Sequence, residues 1–207
     1  MITYTYGDPG AYKVLIQAVD DHDLEKIGSE AAEIFKRTDT DFYLIAFRVQ
    51  NWNTDLSPWP APAVFGKEDF GNGAVDTLGE ILKYTNDKSK TYYIGGYSLA
   101  GLFSLWAAYQ TDVFSGVAAA SPSLWFPGFT DYMRENDIHT GSVYLSLGDK
   151  EEKTRNAVMA AIGRRIQEAC EVLKEQGVDA MLEWNQGNHF KDPDIRTAKA
   201  FAWVMKS

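Results

Sequence analysis

The chain has 207 residues, 45% of them hydrophobic and 14% aromatic. That is enough apolar surface for one large core, so a disordered or fibrous chain is excluded and one domain over 1–207 is expected. Twenty basic against 29 acidic residues leave a formal charge of −9, and no basic cluster is longer than Arg164-Arg165, so a nucleic-acid partner is not expected.

Residues 12–19, Tyr-Lys-Val-Leu-Ile-Gln-Ala-Val, form a short β-branched run that reads as a buried strand. Asp20-Asp21-His22-Asp23 then places acids at a helix start, and Leu24, Ile27, Ala31, Ile34 and Phe35 follow at helical spacing. Residues 42–49 read as strand. A loop rich in Pro and Trp runs from 50 to 73, long enough to suggest a functional role. Next come a helix over 76–86, a strand over 92–95, a helix over 100–110, a strand over 116–120 and a short helix over 129–135. A strand over 143–147, an amphipathic helix over 154–176, a strand over 180–184 and a closing helix over 193–206 complete the chain. Asp192-Pro193 supplies an N-cap and a first helical proline for that last helix. Such alternation predicts the α/β class, a mostly parallel sheet of about six strands with helices on both faces.

The single cysteine, Cys170, excludes an intrachain disulfide and a cysteine-based zinc cage. It shares a helical face with Ile162, Ile166 and Leu173 and is expected to be a packed core thiol. The first residues carry neither a basic start nor an apolar run, and no stretch nears the roughly 18 apolar residues of a membrane span. A cytoplasmic protein with no membrane partner is expected.

The chemistry concentrates at Gly95-Gly96-Tyr97-Ser98-Leu99-Ala100-Gly101. An apolar strand runs into Gly-x-Ser-x-Ala-Gly and a helical pattern begins at once. A serine on so sharp a turn has strained backbone angles, and the residues two before and two after it must be small, as Gly96 and Ala100 are. This makes Ser98 the candidate nucleophile and the Leu99 N–H a candidate oxyanion donor. A phosphate cradle is the rival reading, but the stretch is not G-x-G-x-x-G and has no P-loop lysine.

A serine needs a base and a group to orient it. Of three histidines, His189 follows the last strand directly, on the edge where the serine is expected, whereas His139 precedes a strand and His22 follows the first one. The orienting acid should follow the next-to-last strand, where Asp149, Glu151 and Glu152 compete. The spacing Gly148-x-x-acid favours Glu151, with Asp149 second and Glu152 third. The loop after the first parallel strand normally gives a second oxyanion N–H, which points to Asp21. Asp20-Asp21-His22-Asp23 is not a metal site on this reading, since consecutive residues rarely converge on one ion.

Together these residues resemble the α/β-hydrolase fold, in the chain order Ser98, Glu151 (or Asp149), His189. The resemblance sharpens toward the esterase branch that includes enterochelin esterases, S-formylglutathione hydrolase and feruloyl esterases. It is carried by Gly96-Tyr97-Ser98-Leu99-Ala100-Gly101-Leu102-Phe103 and by Ala119-Ala120-Ser121-Pro122-Ser123-Leu124-Trp125. It implies ester hydrolysis through an acyl-enzyme, without metal or cofactor, on a small-molecule ester, in a monomer or homodimer. An acyltransferase or thioesterase would use the same triad, and a non-catalytic binding homologue would keep only the fold. Relative to the family, the chain starts close to its first parallel strand, so the leading antiparallel strands are expected to be shortened or missing. Trp52, Trp59, Trp125 and Phe126, with Phe65 and Phe70, are candidates for an aromatic cleft beside Ser98; the same rings can equally cap the sheet. Ser121 and Ser123 read as turn formers.

Overall fold

The computed structural model describes residues 1–206. Seven strands form one sheet: β1 (Ile2–Gly7), β2 (Lys13–Val19), β3 (Tyr43–Arg48), β4 (Thr91–Tyr97), β5 (Phe114–Ala120), β6 (Ser142–Gly148) and β7 (Asp179–Asn185). Their spatial order is β1-β3-β2-β4-β5-β6-β7. β1 runs antiparallel to β3 and every other pairing is parallel. The helices are α1 (Asp21–Leu24), α2 (Ile27–Thr38), α3 (Trp52–Asp55), α4 (Ala74–Leu82), α5 (Leu99–Gln110), α6 (Phe129–Glu135), α7 (Ala157–Ala160), α8 (Ile162–Glu175) and α9 (Pro193–Val204).

Side chains alternate across a strand, so each central strand feeds two cores. Val14, Ile16, Ile45, Phe47 and Ile94 face a layer built from α4, α5, α6 and α8, whereas Leu15, Leu44, Ala46 and Tyr93 face α2 and α9. α5 is buried around its whole circumference, with Gln110 its exposed exception, which places the helix behind Ser98 at the centre of the larger core. Cys170 is a buried free thiol of that core, as its helical face predicts, and burial raises its pKa.

Three expectations are corrected. The sheet has one strand more than about six, because β1 lies at the edge with no fully buried residue. Ile2-Thr3-Tyr4-Thr5-Tyr6 shows period-two alternation of β-formers rather than an apolar run, and it supplies one leading antiparallel strand. The helix expected over 154–176 breaks into α7 and α8. There the Asn156 side chain accepts from the N–H groups of Val158 at 3.0 Å and Met159 at 3.3 Å, a local cap that starts a new turn. Asp192 stands at the N-cap of α9 with left-handed backbone (φ 53°, ψ 48°), and its side chain makes no capping bond.

The chain moves outward from β2 to β3, then crosses back to β4 and proceeds through β5, β6 and β7. This reversal between β2 and β4 opens a crevice at the carboxyl ends of the strands. β4 ends at Tyr97, so the next residue, Ser98, stands beside that crevice.

Candidate active site

Ser98 joins β4 to α5 with φ 57° and ψ −120°, a conformation that costs about 1–3 kcal/mol and needs firm support. The support is local. Ser98 N–H donates to Ala120 O at 3.1 Å, while Ser98 O accepts from the N–H groups of Leu102 and Ser123, each at 3.1 Å. A Cβ added to Gly96 would lie 2.7 Å from the Cβ of Ala100, which is why both positions carry the smallest side chains. Leu99 opens α5, so its N–H belongs to the first turn and has no acceptor within the helix.

The loop between β7 and α9 carries His189. Its Nε2 lies 3.0 Å from Ser98 Oγ and its Nδ1 lies 2.7 Å from Glu151 Oε2. Tyr97, the last residue of β4, donates its hydroxyl to the His189 carbonyl at 2.7 Å and so fixes the loop to the strand that carries the serine.

The three competing acids behave differently. Glu151 reaches His189; its other oxygen, Oε1, accepts from Gly148 N–H at 2.7 Å, Ser121 Oγ at 2.8 Å and Arg196 Nη1 at 3.0 Å. Burial by itself would push this carboxyl up, but the hydrogen bond and charge of His189, the Gly148 N–H and the Ser121 hydroxyl outweigh it and hold the pKa below the ordinary value. Asp149 has another task, accepting from Gly187 N–H at 2.7 Å and clamping the β6 loop to the β7 loop. Glu152 is exposed. Gly148 leaves no alternative at its position: a Cβ there would lie 2.3 Å from Gly187 O and 2.9 Å from Glu151 Oε1.

No protein-family model matches the chain. It is 22% identical over 152 residues to the uncharacterized protein YbbA of Bacillus subtilis (strain 168); the match covers 66% of this chain and 60% of that protein's length. Among solved structures, an IroE-like serine hydrolase from Shewanella oneidensis superposes with a TM-score of 0.78 at 15% identity, over 99% of this chain and 75% of that one. The siderophore hydrolase EstA from Aspergillus nidulans gives 0.66 at 16% identity, over 99% of this chain and 95% of its own. A ferulic acid esterase also gives 0.66, at 11% identity, over 99% and 97%.

The chain has the α/β-hydrolase fold.

Within this fold the Ser98 hydroxyl opens onto a cavity of about 230 Å³ whose apolar lining is Phe65, Trp125, Met159, Ile162 and Phe190, with Glu151 and His189 at its polar end. A wider depression of about 700 Å³ lies beside it and shares Phe190; it holds Lys26, Lys150, Lys191, Asp192 and Asp194, and neither Ser98 nor His189 lines it. The chemistry therefore converges on the smaller space. Of the expected aromatic lining, Trp125 is present and Phe65 joins it. Trp52, Trp59 and Phe126 are corrected to packing roles. Trp59 stacks on Phe129 at 6.1 Å and donates its indole N–H to Pro127 O at 3.0 Å. Phe126 is buried against Trp59 and Phe70, and Trp52 packs on the larger core. An aromatic loop looks the same in sequence whether a ring faces core or cavity.

Asp21 begins α1 beyond the end of β2, the strand next to β4, and is not among the cavity-lining residues. Its carboxylate turns to Arg48, accepting from Nη2 at 2.8 Å, and that hydrogen bond lowers its pKa. Asp20 and Asp23 form a capping box, with Asp20 Oδ1 accepting from Asp23 N–H at 2.8 Å, which explains the acidic run without a metal. Among the described residues no three His, Cys, Asp or Glu side chains group as a metal site would need, and no helix is long and apolar enough to cross a membrane.

Sequence reasoning placed Ser121 and Ser123 past a strand end close to the site as turn formers without their contacts, and did not single out Arg196. Ser123 Oγ lies 3.2 Å from Ser98 Oγ, and Ser121 holds Glu151, so both serines reach the site. Arg196 is buried on α9 against Glu151. Its signal was periodicity, since it falls on the same helical face as the fully buried Ala200 and Val204.

Proposed function

We propose that this chain is a serine-dependent carboxylic-ester hydrolase that works through an acyl-enzyme. The observation that carries the reading is one hydrogen-bonded chain, Ser98 to His189 to Glu151, ending in an apolar cavity. Ser98 Oγ attacks the ester carbonyl as His189 Nε2 takes its proton, and Glu151 holds the imidazole in the tautomer that leaves Nε2 free to do so. The oxyanion is held by the N–H of Leu99 at the head of α5, with the N–H of Asp21 as second donor from the neighbouring strand end. His189 then protonates the leaving alkoxide and activates a water that releases the acid. The lining carries no acidic or basic side chain beyond Glu151 and His189, which suits an ester with a small apolar acyl or aryl half. The names borne by the structural neighbours, esterases and serine hydrolases, support the same reading. A lone, buried, unpaired cysteine is in keeping with a reducing cytoplasm.

The test is hydrolysis of a p-nitrophenyl ester series of increasing acyl length by wild type and Ser98→Ala. The reading expects turnover that favours short apolar acyl groups and falls at least about 10³-fold in the variant. Turnover that survives in folded Ser98→Ala would overturn it.

A further inference from the structure

The side chain of Arg196 is 2% exposed, yet it carries a permanent charge. Its Nη1 donates to Glu151 Oε1 at 3.0 Å and to Tyr97 Oη at 3.0 Å, with Ser121 Oγ at 3.3 Å. Its Nη2 donates to Asn188 O at 3.1 Å and approaches Gln186 O at 3.4 Å. Those partners come from the end of β4, the loop after β5, the loop after β6 and the loop after β7. A single guanidinium thus ties together the ends of β4, β5, β6 and β7. An apolar side chain would fill the same space without the cost of desolvating a charge, so packing alone does not account for an arginine here.

We infer that Arg196 is a positioning residue that fixes Glu151 and the His189 loop in register and offsets the Glu151 charge that faces His189. The inference rests on the ester-hydrolase reading above. In the resting site, carboxylate, neutral imidazole and guanidinium sum to zero; proton transfer from Ser98 to His189 takes the sum to +1. Glu151 bound at one oxygen to His189 favours that imidazolium, and Arg196 at the other oxygen partly cancels the attraction. A neutral side chain in place of Arg196 removes that cancellation.

The ionisable groups around His189 are few. Tyr97 faces it from β4, and burial together with the charge of Glu151 holds that phenol up at about 12, so it stays neutral. Glu151 lies on the β6 loop beside Asp149 and Lys150, Arg196 on α9, and Lys191 and Asp192 on the His189 loop itself. Of these, Glu151 and Arg196 are the charges in the hydrogen-bonded chain that reaches the imidazole.

The experiment compares wild type, Arg196→Lys and Arg196→Met by hydrolysis of p-nitrophenyl butyrate from pH 5 to 9, with the His189 imidazole titrated by NMR and folding checked by thermal melting. Arg196→Met should raise the acid limb of kcat/KM, and the NMR titration of His189, by about one pH unit, since the opposing charge is gone. Its kcat should fall about 10- to 100-fold while KM changes less than about threefold, the pattern of a misplaced base. Arg196→Lys should keep the acid limb and lose about tenfold in kcat, because one ammonium cannot span carboxylate and loop carbonyls together. Should the methionine variant not fold, Arg196→Gln gives the same reading of charge. A wild-type kcat in Arg196→Lys, or an unshifted His189 titration in a folded neutral variant, would overturn the inference. Failure of the ester reading looks different: wild type itself would neither turn over nor label at Ser98, and the NMR titration would still decide the role of Arg196.

Discussion

The side chains of Glu151 and Glu30 are both buried, and their surroundings push them in opposite directions. Glu151, at the carboxyl edge of the sheet, has both oxygens occupied by His189, Gly148 N–H, Ser121 and Arg196. Glu30, on α2 against the sheet, has a long contact from Gln17 Nε2 at 3.4 Å, and among the described residues its Oε1 has no partner; nor does Gln17 Oε1. Burial drives Glu30 well above the ordinary carboxylate value, helped by the charges of Asp23 and Asp194. The same burial acts on Glu151 and loses to its partners. A buried acid is kept ionised by donors that replace its water; where they are missing it takes up a proton.

Substitutions at the two sites sharpen this contrast. Glu151→Gln removes the charge from the occupied site, and kcat should fall by about 10²- to 10⁴-fold with little change in KM, read from steady-state ester hydrolysis. The same variant should lose about 2–4 kcal/mol at pH 7 in urea unfolding, because Arg196 is left buried without its counter-charge. Glu30→Gln should do the reverse. It lets an amide face Gln17 and removes the need to keep a proton, so it should gain about 1 kcal/mol at pH 7 with kcat within about twofold of wild type.

The pH dependence of stability carries the smaller effects. Glu151 has a lowered folded pKa, so its contribution is present above the unfolded value and disappears as pH falls through the folded one. Glu30 has a raised folded pKa, so its contribution is present below the unfolded value and is lost as pH rises toward the folded one. Asp23, raised to about 6 by burial and by the charge of Asp20, behaves like Glu30. In Glu30→Gln the fall in melting temperature on the alkaline side should therefore flatten, leaving a slope that ends near pH 6 where Asp23 has titrated. A slope unchanged from wild type would mean that Glu30 is already ionised in the folded protein.

The parts legible in the sequence are those whose steric or topological demand fixes a residue type. The turn at Ser98 forces small residues at Gly96 and Ala100, and parallel topology sends the loops carrying Glu151 and His189 to the edge where the serine stands. Gly148 was legible as a spacing, and the structure supplies its reason in the carbonyl and carboxylate that any side chain would strike. Side-chain direction inside an aromatic loop has no such demand. Trp59, after Ser57-Pro58, and Trp125, after Pro122-Ser123-Leu124, both lie in irregular segments, yet the half-buried Trp59 packs on Phe129 and Trp125 lines the cavity. β1 was illegible for a related reason, because an edge strand exposed on both faces lacks the apolar run that marks the central strands. Arg196 stands between these cases. Its helical face was readable, but a charged residue on an apolar face declares its purpose only once its partners are known.

The most direct measurement is the intact mass of the protein after incubation with a fluorophosphonate, followed by peptide mapping, beside Ser98→Ala and His189→Ala. One adduct on Ser98 that is absent from both variants is the predicted result, since the hydroxyl reacts only when His189 takes its proton. A folded wild-type protein that stays unmodified, or that labels equally without His189, would contradict the account.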